Sequence, residues 1–277
     1  MRMPIRSTIL AAFAAAILGV VAAPARAVIV ADMDEMDAPA NSFIGAWNGS
    51  SCVAVGPHHF LSAKHVGGVV GQNVVMKGVP YRVVEILLHT LYDVQLLRVA
   101  EDLPGYHHFA DNPGYGDPCL LGGFGVTTTG PLANNAGWNW DGTRRETWGA
   151  NMIEGDGSML AIRFDAPSSG IAVPHEATFA VNDSGAGLFT IGADGSLELA
   201  GIAVSVMGFG SSQYNYAAFA LNVSLYKMWA QPIVDPAMPI SSGVAPPRAM
   251  LVVPGAPEWL GGALTFAVLA GMRRRKP

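Results

Sequence analysis

The sequence predicts an all-β fold for the part of the chain between residues 28 and 235. Short apolar runs recur there, and most are bounded by Gly, Pro, Asn or Asp, residues that end strands and form turns. Long helical periodicity is nearly absent. This pattern favours a β-sandwich or a barrel assembly. The predicted strands are Ser51–Val55, Val69–Met76, Tyr81–Leu88, Val94–Val99, Leu120–Phe124, Met159–Arg163, Gly187–Ile191 and Leu199–Val206.

One helix is predicted near the end of this region. Asn222 suits an N-cap, and Val223, Tyr226 and Trp229 would share one face of a helix over Val223–Gln231. Residues 236–256 are rich in Pro, Ala and Ser, and we interpret them as a flexible stalk.

The first 27 residues have the features of a secretory signal. Arg2 and Arg6 precede an apolar stretch, Ile9–Val21, and Ala25-Arg26-Ala27 fits a cleavage site. The apolar stretch is shorter than the roughly 20 residues that a spanning helix needs. Secretion is therefore favoured over an N-terminal membrane anchor.

Residues 257–277 form a second end segment. Pro257-Glu258-Trp259 precedes the apolar run Leu260–Met272, and four basic residues, 273–276, follow. The pattern resembles the PEP-CTERM class of bacterial sorting tails. That resemblance implies transient membrane contact through the tail and a sorting, transpeptidase-like membrane enzyme as a partner, leaving the body outside the cell or attached to its surface. The alternative is a tilted single-pass anchor, which the short apolar run disfavours.

The net charge changes once these end segments are set aside. The chain has 16 basic and 21 acidic residues, and seven of the basic ones lie in the two ends: Arg2, Arg6, Arg26, Arg273, Arg274, Arg275 and Lys276. Glu258 also lies in the second end segment, so the remainder has nine basic against 20 acidic residues, a net charge of −11. An acidic body has no electrostatic footprint for nucleic acid or for an anionic membrane.

A nucleophile motif is the most informative local feature. Ser184 stands between Asp183 and Gly185, in a turn of small residues that precedes the apolar pair Leu188-Phe189. Small neighbours let backbone N–H groups converge on an oxyanion and leave room for a substrate carbonyl. A serine hydroxyl needs a histidine base and a carboxylate that orients the base.

Both partners are present upstream, at His65 in Leu61–Val66 and at Asp93 in Leu91–Leu97. The order His, Asp, Ser and the sequence around each resemble the trypsin/chymotrypsin family of serine peptidases, whose motifs read TAAHC, DIALL and GDSGGP. The resemblance implies two antiparallel six-stranded barrels, over residues 28–108 and 109–235, with a short C-terminal helix. It also implies His65, Asp93 and Ser184 as a catalytic triad acting on protein or peptide substrates, without a cofactor or metal.

The resemblance assigns further roles. The oxyanion would be held by the backbone N–H groups of Ser184 and Asn182, where the family usually has Gly at the second position; Asn tolerates the positive φ often needed there. The primary substrate pocket would have Thr178 at its base and Ser205, Val206 and Gly208 along its rim, which predicts cleavage after uncharged, mostly apolar residues.

Several alternatives stay open. Signal cleavage after Ala27 would expose the α-amine of Val28, and the family pairs such an amine with the carboxylate equivalent to Asp183. Cys52 and Cys119 match neither of two family disulfides and are interpreted as buried thiols. The pairs His58-His59 and His107-His108 are interpreted as loop histidines, because acidic or Cys partners at metal-ligand spacing are missing.

Two other functions compete with peptidase activity. A catalytically inactive homologue that serves as a cell-surface binding module is favoured slightly by Asn182 and by Gln95, which replaces a small residue. An α/β-hydrolase esterase would need a G-x-S-x-G elbow, which Ser184 lacks.

Overall fold

The computed structural model describes residues 28–32 and 36–235, so the predicted signal, stalk and tail lie outside the described residues. The described chain is all-β with one short α-helix, which confirms the predicted fold class. Its elements are β1 Ile29–Val30, β2 Ile44–Trp47, β3 Ser50–Gly56, β4 His59–Ser62, β5 Asn73–Met76, β6 Val79–Leu88, β7 Gln95–Val99, β8 His108–Phe109, β9 Pro118–Gly123, β10 Val126–Pro131, β11 Gly137–Arg144, β12 Thr147–Met152, β13 Met159–Arg163, β14 Ala177–Thr178, β15 Gly187–Ile191, β16 Leu197–Val206, β17 Ser211–Gln213, β18 Ala217–Asn222 and α1 Lys227–Val234.

The first half of the chain closes into a six-stranded barrel in the order β2-β3-β4-β7-β6-β5. Fully or almost fully buried side chains from its strands fill the interior, among them Trp47, Phe60, Met76, Val83 and Leu97. Closure leaves no unpaired edge in this half.

The second half is a half-barrel. Its main sheet runs β12-β9-β15-β16-β18-β13, and β8 adds to β16 in parallel. The two outer strands meet through one bridge, Gly155–Ala161, beyond the end of β12. A separate sheet, β10-β11-β17, lies outside this path.

The N-terminal segment belongs with the second half. Ile29 pairs with Thr178, and Val30 pairs with Ala177, which joins β1 to β14. Val28 is fully buried in a cluster of second-half side chains. The predicted division at residue 108 assigns these residues to the first barrel; their apolar side chains are instead buried against the strand that leads to Ser184.

The predicted strands differ from the observed ones mainly at their ends. Met159–Arg163 and Gly187–Ile191 match, whereas Val69–Met76 shortens to β5 because the Gln72 N–H donates to the Val69 carbonyl in a turn. The β10–β11 hairpin is absent from the predicted strands. Its Thr-, Asn- and Gly-rich sequence lacks the apolar runs on which the prediction depended.

The predicted helix is present but divided. Asn222 is the N-cap, as predicted, and its side chain accepts the N–H of Ser224. A 3-10 turn over Val223–Leu225 comes first, and α1 begins only after Tyr226, whose φ of −127° is not helical. At eight residues α1 is too short to span a bilayer, and the described chain contains no other helix that could.

Candidate active site

Three side chains from separate segments meet between the two halves. His65 lies on the 3-10 turn Lys64–Val66 after β4, Asp93 in the loop before β7, and Ser184 in the turn before β15. The distance from His65 Nδ1 to Asp93 Oδ2 is 2.5 Å, and that from His65 Nε2 to Ser184 Oγ is 2.7 Å. The structure therefore brings together the residues that the sequence nominates as nucleophile, base and orienting acid.

The hydrogen bonds define the roles of the two imidazole nitrogens. Asp93 is a carboxylate and can only accept, so Nδ1–H donates to it and Nε2 is left to accept the Ser184 hydroxyl proton. A second bond, from the His65 backbone N–H to Asp93 Oδ1 at 2.8 Å, fixes the carboxylate. This arrangement suits transfer of a proton from serine to histidine.

The loop that carries Asp93 is organised by His89. The Nδ1 atom of His89 accepts the backbone N–H groups of Leu91 at 3.1 Å and Tyr92 at 3.0 Å. Burial, and then the Lys64 charge, lower the pKa of His89, which favours the neutral ring that these two bonds require. Leu91 and Tyr92 follow His89 by two and three residues, so the contact is local, but no motif in the sequence distinguishes His89 from an ordinary loop histidine.

The turn at Ser184 is held against the first barrel. The Ser51 N–H donates to the Ser184 carbonyl at 3.0 Å. Gly185, at φ +83°, packs so closely that a Cβ there would lie 2.2 Å from the Ser51 carbonyl oxygen. Only glycine therefore fits directly after the serine.

Asn182 has a φ of 67°, the left-handed conformation anticipated for its position. Within the described part of the chain, the backbone N–H groups of Asn182 and Ser184 donate to no protein acceptor. The neighbouring N–H groups of Asp183 and Gly185 are by contrast already bonded, to the Ala180 and Ala203 carbonyls. The two unused donors are the ones predicted to bind an oxyanion.

The Asp183 carboxyl is buried and accepts two backbone N–H groups, those of Gly125 and Ala180, each at 2.8 Å. Burial raises the pKa of Asp183 to about 7, with these bonds acting in the opposite direction. Among the described residues no cation lies beside it. The predicted partner, the α-amine of Val28, depends on Ala27, which lies outside the described residues.

A cavity of about 120 Å³ adjoins Ser184. Its lining comprises Phe179, Ala180, Val181, Asn182, Asp183, Ser184, Ala203, Val204, Ser205 and Val206. A larger, open groove of about 570 Å³ involves residues 112–115, 156–157 and 222–225 and contains no member of the triad. Of the two, the smaller cavity is the one that adjoins the candidate nucleophile.

Two of the four residues predicted for the substrate pocket line this cavity. Ser205 and Val206 line the cavity, but Thr178 and Gly208 do not. Thr178 is buried in β14, opposite Ile29, and Phe179, the next residue, lines the cavity instead.

Metal-ligand chemistry has no support within residues 28–32 and 36–235, which contain no cluster of three His, Cys, Asp or Glu side chains able to hold an ion. Of the four histidines interpreted as loop histidines, His59 and His108 belong to β4 and β8, and His107 lies outside the strands but is buried. His107 accepts the Phe43 N–H at Nε2 and donates from Nδ1 to the Leu197 carbonyl, so it joins the two halves. Burial lowers the pKa of His107 to about 4. Cys52 and Cys119 are free, buried thiols, as expected.

Comparison with known proteins supports the fold. A chain of neuropsin, a serine protease expressed in the limbic system of mouse brain, matches with a TM-score of 0.53 and 16% sequence identity, over 73% of this chain and 98% of that one. The chain therefore has the trypsin-like fold. No family model and no curated protein sequence matches it.

Proposed function

We propose that the chain is a secreted serine endopeptidase that hydrolyses peptide bonds through an acyl-enzyme intermediate. The observation that carries the proposal is the continuous relay from Asp93 through His65 to Ser184, with contacts of 2.5 Å and 2.7 Å. Its place between the halves of a trypsin-like fold adds support.

The reaction follows from the relay. Ser184 Oγ attacks the scissile carbonyl while His65 Nε2 takes the hydroxyl proton; the C–N bond then breaks, and His65 returns the proton to the leaving amine. Water, activated in the same way, hydrolyses the acyl-serine ester. Asp93 holds the required imidazole tautomer and stabilises the imidazolium.

The developing oxyanion would be bound by the N–H groups of Asn182 and Ser184, which have no protein acceptor in the described chain. The substrate side chain would enter the cavity beside Ser184, whose walls are mostly apolar. Secretion and sorting through the C-terminal tail belong to the proposal and rest on the sequence of residues 1–27 and 257–277.

Ser184→Ala and His65→Ala test the proposal. Each variant should fold as the wild type does and lose peptide hydrolysis by about 10⁴-fold or more, because members of a triad act as a unit. Ser196→Ala and His58→Ala, which lie outside the site, are matched controls that should retain wild-type rates. Substantial hydrolysis by either triad variant would contradict the assignment, and a wild type without hydrolysis would favour the binding-module alternative.

A further inference from the structure

Gln95 is a buried residue directly behind the turn that carries His65. Its side-chain amide donates to the carbonyl oxygen of Ala63 at 3.1 Å and to that of Gly67 at 3.0 Å. These two residues immediately precede and follow the 3-10 turn Lys64–Val66. The Gln95 side chain is thus hydrogen-bonded to both ends of the segment that carries His65, the proposed general base.

The turn has little stability of its own. A single 3-10 turn has poor hydrogen-bond geometry, and here it is closed by the Val66 N–H to the Ala63 carbonyl at 3.2 Å and by the Gly67 N–H to the Lys64 carbonyl at 3.0 Å. No side chain caps its N-terminus. The position of His65 therefore depends on contacts from outside the turn.

Besides Asp93, which accepts the His65 backbone N–H, two other side chains bond to the backbone of this segment, both on its C-terminal side. Trp47 Nε1 donates to the Gly67 carbonyl at 2.9 Å, and Asn48 Nδ2 donates to the Val66 carbonyl at 2.7 Å. Among the described residues, Gln95 is the side chain that also holds the N-terminal side, at Ala63.

The same stretch of chain delivers both Asp93 and Gln95. Asp93 contacts the His65 ring and backbone N–H, and Gln95, two residues later at the start of β7, holds the flanking carbonyls. We infer that Gln95 is a positioning residue that sets the His65 imidazole between Asp93 and Ser184; this inference rests on the proposed peptidase function. The family that the sequence resembles has a small residue at this position. A small side chain could not make these two bonds, so Gln95 gives the His65 turn a support that the family residue could not provide.

Gln95→Met tests the inference, because Met has similar length and removes both donors. Misplacing a catalytic group by about 1 Å costs on the order of 10²-fold, so we expect kcat on a chromogenic peptide to fall about 10- to 100-fold, with KM within about two-fold. A kcat within about two-fold of wild type, in a folded variant, would overturn the inference.

Asn222→Ala is the matched control. Asn222 is also a buried amide that donates to a backbone carbonyl, that of Gly157, but it lies at the end of β18 and has no hydrogen bond to a triad residue. We expect its Tm to fall while its kcat stays at the wild-type value. If Asn222→Ala lowers kcat as much as Gln95→Met does, the effect of Gln95 is general destabilisation and the inference fails.

Gln95→Glu keeps the shape of the side chain and is the second test of the inference, for use if Gln95→Met does not fold. A protonated Glu retains one donor and an ionised Glu retains none. The ratio of its kcat to that of the wild type should therefore fall as pH rises. A ratio that remains near one across the pH range would overturn the inference.

A measurement on the resting protein separates this inference from the proposed function. The proton between His65 Nδ1 and Asp93 gives a low-field NMR resonance when the two groups are aligned. We expect this resonance in the wild type and in Asn222→Ala, and its loss or displacement in Gln95→Met, whether or not the wild type hydrolyses peptides. An unchanged resonance in Gln95→Met would contradict the positioning role, whereas absence of hydrolysis alone would contradict only the peptidase proposal.

Discussion

Buried carboxyl groups distinguish the second half of the molecule. Glu176 accepts the N–H groups of Asp165 at 3.1 Å and Val173 at 3.0 Å and the side-chain amide of Asn151 at 2.8 Å. These bonds hold the segment before β14 in place. The residue after β14, Phe179, lines the cavity beside Ser184. Burial raises the pKa of Glu176 from 4.5 to about 8.

This pKa predicts how stability varies with pH. Between about pH 4.5 and 8 the folded protein binds a proton at Glu176 that the unfolded chain does not, so the contribution of Glu176 to the free energy of unfolding falls as pH rises through that window. The slope reaches at most about 1.4 kcal/mol per pH unit for one group. Urea unfolding at pH values from 5 to 8 measures the pH dependence of the free energy of unfolding. In the Glu176→Gln variant, the part of this dependence that Glu176 contributes should be absent. A free energy of unfolding that depends on pH in the same way in Glu176→Gln as in the wild type, or that falls more steeply with pH in the variant, would contradict the prediction.

The triad and Asn182 could be predicted from the sequence because each lies in a short motif whose chemistry is local. The contacts of Gln95 could not, because its acceptors lie 32 and 28 residues earlier in the chain. From the sequence alone, Gln95 is therefore interpreted as a feature that slightly favours a catalytically inactive homologue. His107 was misjudged for the same reason, since its partners Phe43 and Leu197 are distant in sequence.

The strands and turns around the cavity set the expected specificity. The cavity of about 120 Å³ is smaller than the roughly 150 Å³ of an engineered cavity that binds benzene. Apart from Asp183, whose carboxyl is bonded to backbone N–H groups, its lining is uncharged. A Lys or Arg side chain would enter without a counter-ion, at a cost of several kcal/mol.

A peptide-library profile should therefore favour cleavage after aliphatic residues such as Ala, Val, Leu and Met. Phe, Tyr and Trp should rank below them because of their size, and Arg and Lys because of their charge. A profile dominated by Arg or Lys would contradict the assignment of this pocket.

Strand registers explain which elements the sequence could and could not predict. Apolar runs identified β13 and β15 with their observed ends, because each forms part of the buried main sheet. The pairing of β1 with β14 joins residues that are far apart in sequence, so the place of Val28–Val30 in the second half could not be predicted from the sequence. Phe179 lines the cavity and Thr178 does not, a difference between neighbouring residues that motif spacing does not resolve.

The assembled molecule combines one closed barrel and one half-barrel, with the relay between them. The sequence predicted this class of architecture through its motifs. It did not predict that the second half is open, because closure depends on whether β12 and β13 pair along their length, and they meet only beyond the end of β12.

The ends of the mature protein are predicted from the sequence. Cleavage after Ala27 would begin the mature chain at Val28, which is buried in the second half, and processing near Pro257-Glu258 would remove the apolar tail. Intact-mass and terminal-peptide mass spectrometry of protein exported by a host with a sorting system should find both new ends. A chain that still ends in Lys276-Pro277 would contradict sorting and favour an anchor.

Active-site labelling tests the peptidase assignment most directly. A fluorophosphonate reacts with a serine whose hydroxyl is activated by a base and whose oxyanion is stabilised. Incubation of the wild-type protein, followed by peptide mass spectrometry, should give one adduct, on Ser184, that is absent in Ser184→Ala and formed far more slowly in His65→Ala. A folded wild-type protein without an adduct on Ser184, or with equal labelling in His65→Ala, would contradict the assignment.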